Sequence, residues 1–175
     1  MQKILMDKDS KEFPDKAEWL AQSDDKTLEA AKKRALRILG DRYMSRREIE
    51  RRLISKGELE DAAREAAAWL EDTGAINDRE YAAMIGRHYT AKGYGLAKVR
   101  NELFRRGIPR EMWDEVIAEA EKDGVDKSAI EFLRKRLNGS REKNDLYRAS
   151  DALQRRGFSY EEARTAVKKY LELED

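Results

Sequence analysis

Fixed positive charge is the chemistry this chain carries in most abundance. Arg46, Arg47, Arg51, Arg52 and Lys56 fall in one short stretch, Lys98, Arg100, Arg105 and Arg106 in a second, and Arg141, Lys143, Arg148, Arg155 and Arg156 in a third. Guanidinium and ammonium groups clustered in this way suit the phosphates or carboxylates of a polyanionic partner. Each basic stretch is followed by an acidic one: Glu58, Glu60, Asp61, Glu65, Glu71 and Asp72; then Glu111, Asp114, Glu115, Glu119 and Glu121; then Glu161, Glu162, Glu172 and Glu174. The formal net charge of +1 therefore hides an alternation of sign. Part of it has a purely structural explanation. Lys56, Arg106 and Arg156 end helical patterns, and the acids after Gly57, Pro109 and Tyr160 begin them, so both complement helix dipoles at about 0.3–1 kcal/mol each. Arg47, Arg51, Arg105 and Arg155 are different. Counted at about 100° per residue from Leu53, Leu103 and Leu153, they fall on the outer side of their helices. These four lead a candidate binding surface that Arg52, Lys98, Arg100 and Arg148 complete.

Catalytic chemistry finds little material. The chain has one His and no Cys, so no Ser-His-Asp set, thiolate nucleophile or thiolate metal site can be assembled. His88 lies among Arg87 and Tyr89 in a helical pattern, where a lone His is far more often a packing or surface residue than a base. Gly93-Tyr94-Gly95 is too short for a phosphate loop. Paired acids such as Glu161 and Glu162 are accounted for by first-turn placement, which leaves a carboxylate-only hydrolase without support. No catalytic residue, cofactor or metal is expected. No apolar run approaches the ~20 residues of a membrane span. That, the missing Cys and the absence of an apolar N-terminal segment favour the cytoplasm.

The elements that must position these charges repeat. Leu53 and Gly57 recur as Leu103 and Gly107, then as Leu153 and Gly157, an offset of 50 residues each time. With 42% charged residues and two Pro, the composition is that of a helix-rich chain, and a fixed period of this length marks a helical array. The expected organisation is an N-terminal arm, partly flexible, over residues 1–26, followed by three-helix repeats over 27–74, 75–124 and 125–175. Ile4, Leu5, Phe13, Trp19 and Leu20 are the arm's apolar residues. The first repeat starts near Thr27 with Ala31, Ala35, Leu36 and Leu39 as its apolar stripe. Ser45 and Glu48 have capping-box spacing, Ile49 and Leu53 face inward, and Ala62, Ala63, Ala66, Ala67, Trp69 and Leu70 form the third stripe. In the second repeat Asn77 or Asp78 caps a helix carrying Tyr81, Ala82, Ile85 and Tyr89. Leu96, Val99 and Leu103 follow, and Pro109 fits the first turn of the next helix. In the third repeat Ala149 replaces Ile49 and Val99, as expected of a capping unit. Since three short helices bury little alone, the fold expected is all-α, an elongated, curved array of three stacked three-helix units.

The stretch from Ala35 to Leu53, with Leu39, Arg42, Ser45, Glu48 and Ile49, resembles the RecX family of bacterial recombination regulators. So do Ile76-Asn77-Asp78 with Tyr81-Ala82, and Gly93, Gly95, Val99, Glu102-Leu103 and Arg106-Gly107-Ile108. The likeness runs from about Thr27 to the C-terminus. Leu153, Arg155, Arg156, Gly157 and Phe158 carry it in the third repeat. Glu58 departs from the family's apolar residue after the glycine, with Leu59 the nearest apolar side chain to take that place. The resemblance implies a non-enzymatic regulator of the RecA recombinase, most often an inhibitor. Such a protein binds the RecA filament on DNA along its groove and damps ATP hydrolysis and strand exchange. The partners implied are the RecA filament and DNA, single-stranded first and double-stranded second. A self-capped array needs no dimer, so a monomer is expected. The residues by themselves leave two alternatives open. One is a free-standing basic nucleic-acid binder, with Tyr43 and Tyr94 as the only loop aromatics able to stack on bases. The other is a helical scaffold for another protein.

Overall fold

The computed structural model of the chain describes residues 16–122 and 125–173. Ile4, Leu5 and Phe13 of the expected arm lie outside them. Helices α1 (Lys16–Leu39), α2 (Arg46–Ser55) and α3 (Glu60–Asp72) form the first unit. Helices α4 (Asp78–Ala91), α5 (Leu96–Arg106) and α6 (Trp113–Lys122) form the second, and α7 (Val125–Leu137), α8 (Lys143–Arg155) and α9 (Tyr160–Leu173) the third. The first helix starts well ahead of Thr27. Asp24, Asp25 and Lys26 are exposed on it and interrupt the apolar spacing just ahead of Thr27. Leu36, expected on the inner stripe, is 47% exposed, since it lies about 100° round the helix from buried Ala35.

The second helix of each unit ends in the same corner. Gly57, Gly107 and Gly157 are left-handed, with φ of 90°, 69° and 90°. The amides of Glu58, Ile108 and Phe158 reach back to the carbonyls of Leu53, Leu103 and Leu153 at 3.1, 3.0 and 3.2 Å. This arrangement satisfies carbonyls the helix end would otherwise leave unpaired. Ile108 and Phe158 then enter the core, whereas Leu59 is 66% exposed and does not substitute for them. Glu58 itself fills the corresponding place, its carboxylate 2.6 Å from Arg34 Nε on α1. Pro109 also differs from expectation. It precedes a short 3-10 turn, Arg110–Met112, and α6 proper starts at Trp113, whose indole N–H donates to the Ile108 carbonyl at 3.0 Å.

Two apolar cores, rather than one stack of three, hold the described residues. Tyr81, Val99, Leu103, Val116, Leu133, Leu153 and Tyr170 belong to one cluster that runs through the second and third units. Ala31, Ala35, Ile49, Leu53, Ala63, Ala66, Ala67 and Leu70 belong to another within the first unit, joined by Ile76. The first unit therefore buries its apolar face largely by itself. Its alanines let α1 and α3 approach closely, and the length of α1 covers them.

Candidate functional site

The second helices meet end to end, in the order α8, α5, α2. At the first junction Ser45, fully buried before α2, donates its hydroxyl to the carbonyl of Arg106 at the end of α5. The same Oγ accepts from the Glu48 amide at 3.1 Å while Glu48 accepts from the Ser45 amide at 3.1 Å, so the capping box expected there is present. Arg106 turns back across the junction. Its Nη1 donates to Tyr81 Oη and lies 3.5 Å from Glu48 Oε1, and its guanidinium carbon is 5.3 Å from the centre of the Tyr81 ring. At the second junction the amides of Gly95 and Ala97 donate to the carbonyls of Arg156 and Gly157 at 3.0 and 3.1 Å. Arg156 donates to the Gly93 and Lys92 carbonyls at 3.0 and 2.8 Å and lies over the Tyr94 and Phe132 rings. Carbonyls orphaned at one helix end thus serve the Ser45 hydroxyl at the first junction and amides orphaned at the next helix start at the second. The negative end of each dipole also faces the positive end of its neighbour. Arg106 and Arg156 are the clasps of the row.

Asn77 caps α4 by accepting the Glu80 amide at 3.0 Å, which leaves the adjacent Asp78 for another task. Asp78 is buried and accepts the backbone amide of Arg46, the first residue of α2, at 2.9 Å. Burial pushes its carboxyl above the usual aspartate range, against the stabilising hydrogen bond from that amide. Glu102 on α5 behaves in the opposite way. Burial disfavours its charge, but the hydrogen bond from Lys98 at 2.9 Å and the nearby charges of Lys98 and Arg105 prevail and hold it below the usual range. The same hydrogen bond raises Lys98.

Around this frame the eight candidate cations divide. Arg47, Arg51 and Arg105 come together at the first junction. The Arg47 stem lies against Gly107, where an added Cβ would meet its Cδ at 2.7 Å, and Arg51 Nη1 is 3.5 Å from the Arg105 carbonyl. Arg105 is exposed, with Glu102 3.7 Å away. Arg155 is exposed in the last turn of α8, beside the second junction. Arg52, Arg100 and Arg148 are exposed on α2, α5 and α8. Among the described residues, Arg47, Arg52, Arg100, Arg148 and Arg155 carry no ion pair. Lys98 is half-buried and committed to Glu102. Sequence reasoning missed two side chains of this row, Phe104 and Tyr147, which are 70% and 71% exposed. Phe104 follows buried Leu103 as exposed Ile54 follows buried Leu53, about 100° round the helix, so register alone could have placed it outward.

His88 is exposed and meets Tyr89 edge-on at 5.2 Å. Ser159 and Glu162 form a second reciprocal cap, with the Glu162 amide 3.2 Å from Ser159 Oγ and the Ser159 amide 2.5 Å from the Glu162 carboxylate. First-turn placement thus gives Glu162 a structural task. Among the described residues no group of three or more His, Cys, Asp or Glu side chains is arranged to hold a metal ion. Among the described residues no helix is long and apolar enough to cross a membrane.

An all-α protein of tandem three-helix units, with a row of free cations along its second helices, is the class these features define. Residues 77–117 match the family model described as RecX, second three-helix domain. The chain is 35% identical over 142 residues to the regulatory protein RecX of Xanthomonas axonopodis pv. citri, covering 79% of this chain and 86% of that protein. It is 28% identical over 142 residues to the regulatory protein RecX of Halorhodospira halophila, covering 79% and 87%. The crystal structure of RecX from Lactobacillus salivarius shares the fold, with a TM-score of 0.75 at 21% identity over 83% of this chain and 97% of that one. The chain belongs to the RecX family of regulatory proteins.

Proposed function

We propose that this chain regulates a RecA recombinase by lying along the groove of the filament that RecA forms on DNA. It acts there as an inhibitor, damping ATP hydrolysis and strand exchange without chemistry of its own. The observation that carries this reading is the end-to-end row of second helices, which gathers Arg47, Arg51 and Arg105 at one junction and sets Arg155 beside the other. Arg52, Arg100 and Arg148, exposed on the same three helices, extend the contact, while Lys98 acts through Glu102. Membership of the RecX family supports the choice of partner. Cations fixed on a rigid row suit a regularly spaced polyanion, and the acids on the third helices limit adhesion to other polyanions.

The test is RecA's ATP hydrolysis on single-stranded DNA at two salt concentrations, with this protein well below one copy per RecA. Suppression at that ratio is expected, and replacing Arg47, Arg51, Arg105 and Arg155 together by Glu is expected to abolish it. Undiminished suppression by the four-fold variant would remove the basic row from the interface. No suppression at any ratio by the unsubstituted chain would remove RecA as the partner.

A further inference from the structure

Beside the first junction lies a cavity of about 430 Å3 whose lining includes Asp41, Arg42, Tyr43, Tyr81, Tyr89 and Arg106. Tyr81 is buried and held by the Arg106 guanidinium, which both donates to its hydroxyl and lies over its ring. Tyr43 stacks on Tyr81 with centroids 6.3 Å apart and planes 18° from parallel. Yet Tyr43 is 62% exposed. The loop between α1 and α2 therefore presents a flat aromatic side chain stacked on the ring of Tyr81, which Arg106 holds in place.

We propose that this cavity receives an unpaired nucleobase of a single strand, stacked on Tyr43. A nucleobase suits the site in three respects. Its planar face pairs with a pre-oriented ring, a contact that tolerates any base. Its amino or imino hydrogens meet Asp41, the one acid among the lining residues. Its flanking phosphates meet cations: Arg42 spends Nη2 on the Ile38 carbonyl at 2.8 Å but keeps further donors, and Arg47, Arg51 and Arg105 stand at the same junction. An apolar side chain from a protein partner would make no use of those cations. The inference goes beyond the proposed function, because it concerns the strand itself and needs no RecA.

Fluorescence anisotropy of the full chain with a dye-labelled oligothymidylate of about 15 nucleotides tests it, alongside a strand of equal length with abasic sugars in place of nucleosides. The intact strand is expected to bind about tenfold more tightly than the abasic one, the size of one stacked base. Tyr43→Ala is expected to lose that tenfold on the intact strand and nothing on the abasic strand, and Tyr43→Trp to retain it. Thymidine monophosphate is expected to leave the bound strand in place at micromolar concentration. Equal binding of the two strands by the unsubstituted chain, or no binding of either, would overturn the proposal. So would an equal loss on both strands in Tyr43→Ala, or displacement by micromolar monophosphate.

Discussion

Asp78 is the first residue of α4, yet its carboxylate accepts the first amide of α2 in the neighbouring unit. The cost of that service is a buried charge, since burial raises its pKa and Glu71 and Glu48 reinforce the rise. A carboxyl raised on folding contributes stability that is fully present below the ordinary aspartate range and lost as pH climbs through the raised value. Asp78→Asn keeps an oxygen to accept the Arg46 amide and removes the charge. It is expected to be as stable as the parent at pH 7 or more so, with a flatter dependence on pH above about 4. Asp78→Ala leaves the α2 amide uncapped and is expected to cost about 1–2 kcal/mol. Urea denaturation at several pH values separates the two. Glu102 has the reverse sign: held below the usual range by Lys98 and Arg105, it stabilises above the ordinary glutamate range and ceases to do so as pH falls through its lowered value.

The end-to-end meeting of α8 and α5 depends on backbone lying against backbone. A Cβ on Gly95 would fall 2.3 Å from the Gly157 carbonyl oxygen, with nothing flexible to give way, whereas a Cβ on Gly57 would meet open space. Gly95→Ala is therefore expected to cost about 3 kcal/mol through overpacking, and Gly57→Ala about 1 kcal/mol through its left-handed backbone alone. Denaturation midpoints of the two variants check the difference. Much at this scale was legible in the sequence. The 50-residue offset located the three corners, and Ser45 with Glu48 located the start of α2. What the period could not disclose is which equivalent positions touch one another. Arg106 and Arg156 read as dipole partners in the sequence because their Tyr81, Glu48, Gly93 and Lys92 contacts lie 25 to 64 residues away. Leu59 was misleading for a related reason: the residue that answers Glu58 is Arg34, on another helix. Of the candidate surface, Arg47, Arg51, Arg105 and Arg155 were readable as outward from helical angle. Lys98 and Glu102 stand four residues apart, so spacing allows their pairing, but it does not report the burial of Glu102 that commits Lys98 to it.

Across the whole molecule, the apolar cores divide the chain unevenly, one within the first unit and one shared by the second and third. The junction between them is made of polar groups, Ser45, Glu48, Asp78, Tyr81 and Arg106. Unfolding is therefore expected in two stages rather than one. Leu53→Ala, fully buried in the first core, should accelerate hydrogen exchange throughout α1 to α3 and leave α8 and α9 protected. Leu153→Ala should do the reverse, each costing about 2–5 kcal/mol in its own core. Hydrogen exchange read by mass spectrometry resolves the two patterns, and uniform loss of protection in either variant would mean a single cooperative body. The row of second helices, finally, has ends of different kinds. Its α2 end stops at the open Gly57 corner, the shape that Gly107 and Gly157 plug into their neighbours. Its α8 end begins three residues earlier than register requires, so Asp145, the counterpart of Ser45 and Gly95, lies inside the helix and accepts the Ser140 hydroxyl at 2.7 Å. The array thus has a plug without a socket. With that added turn the row ends at α8 without the recess that α2 and α5 each offer to the helix before them.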